Sequence, residues 1–254
     1  MSDAATQASE APLYQVDAYR RRFPAVVTAA DGDAVQLEPS AFYPGGGGQP
    51  ADRGTLTATG DGRTWNVTGA RLVRDGERSG VWYALDGEAP AQGTEVDCEL
   101  DWARRYALMR THTALHVLCA VVWRDHGAKV TGANMEPLRG RMDFELEHLT
   151  GELVREIEAA ANVEIRAARP TRVDFLPREE ADEDPELIRN KVSLLPPSIR
   201  VVRVVGIEGL DLQADGGTHV ANTEEVGEVA IPSYKSKGRV NKRLEISLSD
   251  TEGE

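Results

Sequence analysis

The chain has little cysteine, little lysine and no long apolar run. Its 254 residues include two cysteines and only five lysines among 29 basic residues. Two thiols exclude a disulfide-rich secreted scaffold and favour a reducing compartment. The longest apolar stretch, Val117 to Trp123, is far shorter than the ~20 residues that cross a bilayer. The start also lacks the basic end and apolar run of an export signal. We therefore expect a cytoplasmic protein without a membrane partner.

Basic charge is scarce as well. The 42 acidic and 29 basic residues give a formal net charge of −13. Such a charge keeps a protein soluble and repels polyanions, which argues against nucleic-acid binding unless basic residues are gathered in one place. Hydrophobic residues make up 41% and charged residues 28% of the chain, as in an ordinary globular protein. The length predicts one or two domains.

Short strand-like runs separated by Gly, Pro and Asp predict a small β-barrel or sandwich over residues 12–100. The runs are YQVDAY, AVVTAA, AVQLEP, GTLTAT, TWNVTGARLV, GVWYAL and TEVDCEL. Between two of them, FYPGGGGQPADRG contains four successive glycines, Gly45 to Gly48. This segment is either a mobile hairpin loop or a backbone kept bare for a close approach. It is not a phosphate loop, because no Lys-Ser or Lys-Thr follows the glycines.

A mixed α/β arrangement is predicted for residues 101–250. Leu108, Leu115, Leu118 and Val122 recur at helical spacing, so a helix of about five turns should begin near residue 101 and end at Gly127. The later elements are strands near 129–130 and 140–146, a helix over about 150–161 capped by Thr150, strand NVEIRAARPTRVDFL, an acidic surface segment PREEADEDPELIR, and strands SIRVVRVVGI, THVANTEEVGEVAI and RLEISL. Helices packed on a mostly antiparallel sheet fit this order.

Two histidines on the long predicted helix have the spacing of metal ligands. His112 and His116 are four residues apart, so both imidazoles lie on one helix face and can reach one ion. The same spacing is compatible with two partly buried, hydrogen-bonded histidines. Cys119 is seven residues from His112, about 10 Å along a helix axis, which is too far for a shared ion.

A second pair of candidate ligands flanks a double glycine. Asp215, Gly216, Gly217, Thr218 and His219 form a D-x-x-x-H segment, and the glycines allow a tight turn that brings carboxylate and imidazole together. An ordinary β-turn would account for the same residues. If the two pairs converge, three imidazoles and one carboxylate form a tetrahedral ligand set that suits zinc.

Five segments, in this order, resemble the editing domain of alanyl-tRNA synthetases and the freestanding AlaX-type alanyl-tRNA editing proteins. They are FYPGGGGQPADRG, DWARRYALMRTHTALH, GRMDFEL, DLQADGGTHVANTEEVGEV and KSKGRVNKRLEI, and the resemblance runs from about Phe23 to Leu248. It implies an α+β fold in which a translation-factor-like β-barrel precedes an α/β editing domain of the threonyl/alanyl-tRNA synthetase type. No aminoacylation core is expected, so editing should not require ATP.

The resemblance also implies an activity and a metal. It predicts a zinc-dependent hydrolase, with one Zn²⁺ per chain, that deacylates tRNA(Ala) mischarged chiefly with serine and also with glycine. The zinc ligands would be His112, His116, Asp215 and His219, and the two helical histidines would take part in catalysis. Asp215 stands where many family members have cysteine, and a carboxylate is a harder but accepted ligand for zinc.

Substrate contacts are predicted in several segments. Thr131, Asn134 and Gln49 are candidates to recognise the hydroxyl of a seryl group, and Thr131 and Asn134 are also typical turn residues. Gly46, Gly47 and Gly48 are candidates to approach the terminal nucleotide with bare backbone. Two basic clusters are candidates for phosphate contacts: Arg104, Arg105 and Arg110 at the helix start, and Lys235, Lys237, Arg239, Lys242 and Arg243 near the end of the chain. Alternatively, they are charged surfaces balanced by neighbouring acidic residues.

Other functions remain compatible with these residues. The metal site could serve a mischarged tRNA for threonine, or a small ester or amide. The chain could also be a structural zinc module or tRNA-binding module without catalysis, for which Asp215 in place of cysteine is the motivating feature. A zincin peptidase is disfavoured because Thr113, Ala114 and Leu115 separate the two histidines, where H-E-x-x-H enzymes have their glutamate.

Overall fold

The computed structural model describes residues 11–74, 76, 78–183, 187 and 200–250. They form two compact units, one spanning Ala11–Tyr106 and a second that begins at Ala107. Within the described part of the chain, no helix combines the length and apolarity needed to span a membrane.

The first unit is a closed six-stranded barrel. After a one-turn helix α1 (Leu13–Val16), its strands are β1 (Arg22–Asp31), β2 (Ala34–Glu38), β3 (Gly54–Ala58), β4 (Thr64–Val73), β5 (Gly80–Leu85) and β6 (Glu95–Leu100). The strand order is β1-β2-β5-β4-β3-β6, and β1 closes the barrel by pairing antiparallel with β6. This confirms the predicted β-barrel.

Alternating side chains explain the barrel. In β6, Val96, Cys98 and Leu100 are buried and the residues between them are exposed, because successive strand side chains point to opposite faces. Cys98 lies opposite Phe23 of β1 and Leu56 of β3, and all three belong to the barrel core.

The second unit contains most of one long helix, from residue 107 to residue 126. Helix α2 (Trp102–His126) has 25 residues, longer than the predicted five turns, and ends at Gly127, whose φ of 61° is left-handed. Every residue from 108 to 122 is buried, so the helix is enclosed on all sides rather than amphipathic.

Two antiparallel sheets complete the second unit. The remaining elements are β7 (Val130–Glu136), β8 (Arg139–Phe144), α3 (Gly151–Arg166), β9 (Thr171–Pro177), α4 (Arg178–Glu183), β10 (Val201–Ile207), β11 (Asp211–Ala214), a 3-10 helix (Thr223–Val226), β12 (Val229–Ser236) and β13 (Lys242–Leu248). The four-stranded sheet has the order β12-β13-β8-β7, and the three-stranded sheet has the order β11-β10-β9.

Helix α3 shows one correct and one wrong prediction. Thr150 is its N-cap, with the side chain accepting a hydrogen bond from the amide of Leu153, as predicted. The strand expected from residue 162 is wrong at its start, because the helix continues to Arg166. Ile157, Ala161 and Ile165 are all buried, so the apolar helical spacing extends past the predicted end.

Three other segments also differ from the prediction. YQVDAY is not a strand, because Leu13–Val16 forms a helical turn that the amide of Asp17 closes on Leu13. The expected strand from residue 218 begins only at Val229, because Asn222 caps a 3-10 helix with Glu225 in a reciprocal capping box. The acidic segment forms α4 up to Glu183, and its residues 184–186, 188 and 189 lie outside the described residues.

Candidate metal centre

The two pairs of predicted ligands lie on different elements of the second unit. His112 and His116 are on successive turns of α2. Asp215 directly follows β11, and the turn through Gly216 and Gly217 leads to His219. All three histidines are buried, with exposed fractions of 4–6%.

These four side chains converge in the fold. One ligand atom from each residue lies within 4.8 Å of the other three. His112 Nε2 lies 3.5 Å from Asp215 Oδ1, and His219 Nε2 lies 3.0 Å from Asp215 Oδ2. The imidazole centroids of His112 and His219 are 4.2 Å apart, and those of His116 and His219 are 4.6 Å apart.

The His116 ring is oriented by a second carboxylate. Its Nδ1 lies 3.0 Å from Oδ2 of Asp211, whose side chain has no exposed surface. Because an ionised carboxylate only accepts hydrogen bonds, Nδ1 carries the proton that it donates to Asp211. The lone pair is then on Nε2, the nitrogen that remains for a metal.

The His219 ring is held by a hydroxyl that can donate or accept. Thr113 Oγ1 lies 3.2 Å from His219 Nδ1 and also accepts the amide hydrogen of Val220 at 3.2 Å. A hydroxyl can serve either imidazole tautomer. Thr113 can therefore keep the ring in place whether Nε2 donates to Asp215 or binds a metal.

Asp215 is fixed from three sides. Its Oδ2 accepts the amide hydrogen of Gly217 at 2.7 Å, and the guanidinium of Arg203 on β10 lies 3.8 Å from the same oxygen. Arg203 also donates to the backbone carbonyl of Asp215 at 2.8 Å. Both the carboxylate and its backbone are thus positioned by neighbouring elements.

The electrostatics favour the ligand forms of these residues. Burial lowers the pKa of His112 to about 4 despite the opposing charge of Asp215. Burial, together with His112, also lowers the pKa of His219 well below its ordinary value. Burial works to raise the pKa of Asp215, but the neighbouring imidazoles hold it well below its usual range. At pH 7, His112 and His219 are therefore neutral imidazoles and Asp215 is an ionised carboxylate.

This donor set fits a metal ion. Tetrahedral zinc with bonds of ~2.0–2.2 Å separates its ligand atoms by about 3.3–3.6 Å. His219 Nε2 and His112 Nε2 lie 3.0 and 3.5 Å from the two oxygens of Asp215, and the four ligand atoms span up to 4.8 Å, so the side chains would draw together slightly around an ion. Three nitrogen donors and one oxygen donor are among the combinations that zinc accepts. Cys119 is buried and does not belong to the four-residue group among the described residues.

Sequence reasoning missed the residues that orient the ligands. Asp211, Thr113 and Arg203 reach the site from β11, α2 and β10. Thr113 could have been found, because it lies between the two helical histidines in sequence. Asp211 and Arg203 carried no spacing signal, because their contacts depend on how β10 and β11 pair.

The predicted hydroxyl-recognition residues lie in different environments. Thr131 on β7 is exposed, and its hydroxyl donates to Asn241 at 3.0 Å. Asn134 is exposed and lines a groove of about 560 Å³ on the four-stranded sheet. Gln49, in the barrel unit, is only 2% exposed.

The glycine segment forms an ordered turn. All four glycines from Gly45 to Gly48 have positive φ, between 57° and 131°, a region that L residues with side chains rarely adopt. Gly46 and Gln49 exchange two backbone hydrogen bonds of 2.9 and 3.0 Å, and the Tyr43 hydroxyl donates to the Gly46 carbonyl. These contacts disagree with a loosely held hairpin loop.

The basic cluster at the helix start is partly structural. Arg105 has no exposed surface, and its guanidinium donates to Asp52 and to the carbonyls of Ala18 and Ala41. This burial contradicts the predicted phosphate contact for Arg105. Arg110 is also buried and donates to the carbonyls of Val226 and Ser249, whereas Arg104 is partly exposed and donates to the Ala51 carbonyl.

The basic residues near the end of the chain likewise include some that make structural contacts and some that are exposed. The Lys242 ammonium is engaged by Ser236 Oγ and two backbone carbonyls, and with 5% exposure it contradicts the predicted phosphate contact. Arg243 forms a two-bond ion pair with Asp143, and Lys235 pairs with Glu245 at 3.2 Å. Lys237 and Arg239 are exposed.

Comparisons with known proteins point to one family. Residues 202–245, which include Asp215 and His219, match the model of the threonyl and alanyl tRNA synthetase second additional domain. The chain is 37% identical over 237 residues to the alanyl-tRNA editing protein AlaX-M of Saccharolobus solfataricus, covering 91% of this chain and 96% of that protein.

Two further relatives agree. The alanyl-tRNA editing protein AlaX-M of Methanosarcina barkeri is 36% identical over 243 residues, covering 94% of this chain and 98% of that protein. The alanine–tRNA ligase of Pyrobaculum aerophilum is 40% identical over 229 residues, which are 86% of this chain but 25% of that enzyme.

Proposed function

The chain belongs to the family of alanyl-tRNA editing proteins, and from this membership we propose that it hydrolyses the ester of mischarged tRNA(Ala). The substrate is chiefly seryl-tRNA(Ala) and also glycyl-tRNA(Ala), and the reaction takes place in trans, without ATP, in the cytoplasm. Membership of this family supports tRNA(Ala) as the substrate. The convergence of four ligand atoms within 4.8 Å supports the candidate metal centre as the place where the ester is hydrolysed.

The proposed metal is one Zn²⁺ held by His112, His116, His219 and Asp215. A bound zinc ion would supply Lewis acidity, which acidifies water and polarises a carbonyl. The low pKa of His112 supports this role, because a neutral imidazole is the form that binds a metal. The Gly217 amide and Arg203, by fixing the Asp215 carboxylate, support Asp215 as a direct ligand.

The chain's own residues then prepare the site. Asp211 holds the His116 proton on Nδ1, and Thr113 holds the His219 ring against the turn. Both interactions fix ring orientation before the substrate arrives, which reduces the reorganisation needed during the reaction. Burial of the three histidines also limits the access of bulk water.

Discrimination between seryl and alanyl esters requires a polar contact. A site that hydrogen-bonds a substrate hydroxyl rejects the analogue that lacks it by about 10⁴–10⁵-fold, whereas exclusion by size contributes far less. We assign this contact to Thr131 or Asn134, with Gln49 as the candidate in the barrel unit. Asn134 is supported by its exposure in a groove.

Contacts with tRNA are proposed in both units. Gly46, Gly47 and Gly48 have no side chain to keep a nucleotide at a distance. Arg104, Lys235, Lys237, Arg239 and Arg243 are the remaining candidates for phosphate contacts. Lys237 and Arg239 are the best supported, because both are exposed at the turn between β12 and β13.

The finer architecture is also part of the proposal. The barrel of residues 12–100 is of the translation-factor-like type, and residues 101–250 form the zinc-containing editing domain. The closed barrel with order β1-β2-β5-β4-β3-β6 supports the first assignment, and the family match over residues 202–245 supports the second.

The test compares the hydrolysis of four aminoacyl-tRNA esters under the same conditions. Purified protein is incubated with tRNA(Ala) charged with serine, glycine or alanine, and with tRNA(Thr) mischarged with serine, and release of the amino acid is followed. We expect fast loss of serine from tRNA(Ala), slower loss of glycine and sparing of the alanyl ester. Equal hydrolysis of all four esters, or of none, would contradict the proposal.

A result without hydrolysis has a specific meaning. If the protein binds zinc and tRNA but releases no amino acid, it is a structural zinc module or tRNA-binding module. Preferential loss of serine from mischarged tRNA(Thr) would assign the same site to the other synthetase system named by the matching domain model.

A further inference from the structure

The barrel unit carries an aromatic cluster that the proposed site does not use. Trp102 and Tyr106 lie on the first turns of α2, and their rings stack at an interplanar angle of 25° with centroids 5.5 Å apart. The Tyr19 ring is 5.8 Å from Trp102 at 47°. The guanidinium of Arg21 covers Trp102 at 4.2 Å from the ring centroid.

Backbone contacts fix this cluster in place. The carbonyl of Arg21 accepts the amide hydrogen of Leu100 at 2.9 Å, two residues before Trp102. The buried Arg105 joins the same segments, because it donates to the Ala18 carbonyl at 2.9 Å and pairs with Asp52. The cluster is therefore organised without a ligand, which lowers the entropic cost of binding one.

Trp102 differs from the other tryptophans of the barrel. Trp65 and Trp82 also have an arginine above the ring, but they are 8% and 4% exposed, and both indole N–H groups donate to backbone carbonyls. Trp102 is partly exposed, and Arg21 above it is exposed. Among the described residues, the indole N–H of Trp102 has no hydrogen-bond partner.

The charge around the cluster is opposite to that of the whole chain. Arg20, Arg21 and Arg22 are consecutive. Arg104 lies in the first turn of α2, and the carbonyl of Arg53 accepts the amide hydrogen of Asp101 just before that helix. Asp17 and Glu99 balance Arg20 and Arg22. In a chain of net charge −13, this local excess of arginine is suited to a phosphate group.

A groove lined by both polar and apolar groups begins beside the cluster. It has a volume of about 650 Å³, and its lining includes Leu100 and Asp101, which directly precede Trp102, together with Arg53, Asn66 and Thr68. A cavity of this size is typical of small-ligand sites. Its hydroxyl, amide and guanidinium groups are of the kinds that bind a ribose and a phosphate. Of its two carboxylates, Glu99 is paired with Arg22 and Asp101 accepts the amide hydrogen of Arg104.

We propose that Trp102, Tyr106 and Arg21 form a stacking platform for an unpaired nucleobase of the tRNA, whose adjoining ribose phosphate enters the groove lined by Arg53. Bases stack on aromatic rings and on guanidinium planes, and such stacking tolerates any base because every base has a π face. The proposal rests on the proposed function for the identity of the RNA, but it assigns contacts outside the metal centre.

The test measures equilibrium binding of unacylated tRNA(Ala), so that no ester hydrolysis is required. Trp102→Leu should weaken binding by about five- to 150-fold, and Trp102→Phe should stay within about threefold of the wild type. Arg21→Ala should weaken binding and reduce the slope of log affinity against log salt by about 1. Arg63→Ala is the matched control, because it removes an exposed arginine from above the buried Trp65.

A second readout separates stacking from a structural role. Base stacking should quench tryptophan fluorescence when tRNA is added, and Trp102→Phe should lose most of this quenching while it keeps its affinity. In steady-state deacylation, Trp102→Leu should raise KM and leave kcat within about twofold, because the metal centre is untouched.

The outcomes distinguish this proposal from the proposed function. Unchanged tRNA affinity in both Trp102→Leu and Arg21→Ala, or no tRNA binding by the wild type, overturns the platform. If seryl ester is still cleaved in that case, the proposed function survives. Weakened binding in both variants with no hydrolysis by the wild type supports the platform and contradicts the proposed function. Arg21→Ala keeps the test decisive if Trp102→Leu does not fold.

Discussion

The candidate metal centre and the basic segments of this chain were both predicted from clusters of residues in the sequence, but the fold treats these two kinds of residue differently. At the metal centre, residues from α2 and from the turn after β11 converge, and His116, His219 and Asp215 each have a partner that positions them. In the basic segments, the fold neutralises Arg105 and Arg243 with Asp52 and Asp143.

The difference follows from what each kind of group costs when it is buried. A neutral imidazole can be buried if its N–H finds an acceptor, and its second nitrogen remains a ligand. A buried guanidinium needs a counter-charge and several acceptors, so it becomes part of the structure. Clusters of histidine therefore indicate function more directly than clusters of basic residues, whose exposure must be known first.

The largest expected effect is the removal of a buried ligand. His112→Ala should lose stoichiometric zinc and reduce seryl-tRNA(Ala) deacylation by roughly a thousandfold or more, because the metal contributes several kcal/mol to the reaction. His126→Ala is the matched control, since His126 ends the same helix but is exposed. Metal analysis and single-turnover deacylation measure both effects. Full activity in His112→Ala would contradict the claim that the buried histidines form the catalytic site.

The second effect concerns the buried arginine. Arg105→Ala leaves the Asp52 carboxylate buried without its counter-charge, which typically costs about 3–5 kcal/mol. Arg22→Ala, which breaks an ion pair whose side chains are 76% and 52% exposed, should cost at most about 1 kcal/mol. Urea unfolding measures both. If Arg105→Ala is as stable as the wild type and binds tRNA less tightly, Arg105 is a binding residue after all.

The third effect is a dependence of stability on pH. The pKa of His112 falls from 6.5 to about 4 on folding, so the unfolded chain takes up a proton first as the pH decreases. The stability that this residue contributes is complete above pH 6.5 and is lost between about pH 6.5 and 4. The loss is about 3 kcal/mol at ~1.4 kcal/mol for each pH unit.

Urea unfolding of zinc-stripped protein at pH 7 and at pH 4.5 measures this loss. His112→Gln should show a smaller difference between the two pH values, and His126→Gln should keep the wild-type difference. An equal difference in all three proteins would mean that His112 is protonated in the folded state over this range.

A smaller effect is expected from the residue that orients His116. Asp211→Asn should weaken zinc binding by about 10- to 100-fold, because an amide is a poorer acceptor for the Nδ1 proton. Asp174→Asn is the matched control, since Asp174 is exposed on β9 of the same sheet. Competition with a zinc chelator gives the affinities, and ¹⁵N spectra of the imidazoles report the His116 tautomer. An unchanged tautomer with unchanged affinity would contradict this role of Asp211.

The smallest expected effect comes from Lys237 and Arg239, the exposed basic residues between β12 and β13. Exchanging both Lys237 and Arg239 for alanine should weaken tRNA binding equally for all tRNA sequences and reduce the salt slope by about 2. The change should leave zinc content as it is. Binding curves at several salt concentrations check this, and an unchanged slope would mean that the hairpin does not contact phosphates.

Much of the fold was predictable because it depends on local periodicity. The alternation in β6 and the helical spacing of Leu108 and Leu115 each required a neighbourhood of only a few residues. The four-residue spacing of His112 and His116, and the double glycine before His219, likewise predicted the two residue pairs that converge in the candidate metal centre. These features are properties of contiguous sequence, so no knowledge of strand pairing was needed.

What could not be predicted depends on pairing between distant segments. Asp211 orients His116 across 95 residues, and Asp52 lies 53 residues from Arg105. The segment YQVDAY alternates like a strand, but Leu13–Val16 forms a helical turn, and the amide of Leu13, just before the segment, donates to the carbonyl of Ser40. In each case a tertiary contact outweighs or completes the local pattern.

The most direct test of the central claim is X-ray absorption at the zinc K edge on protein loaded with one equivalent of zinc. We predict a first shell of four nitrogen or oxygen atoms at about 2.0–2.2 Å, with imidazole scattering and no sulfur at about 2.3 Å, and loss of the imidazole pattern in His112→Ala. A sulfur shell, or a wild-type protein that binds no zinc, would contradict the account.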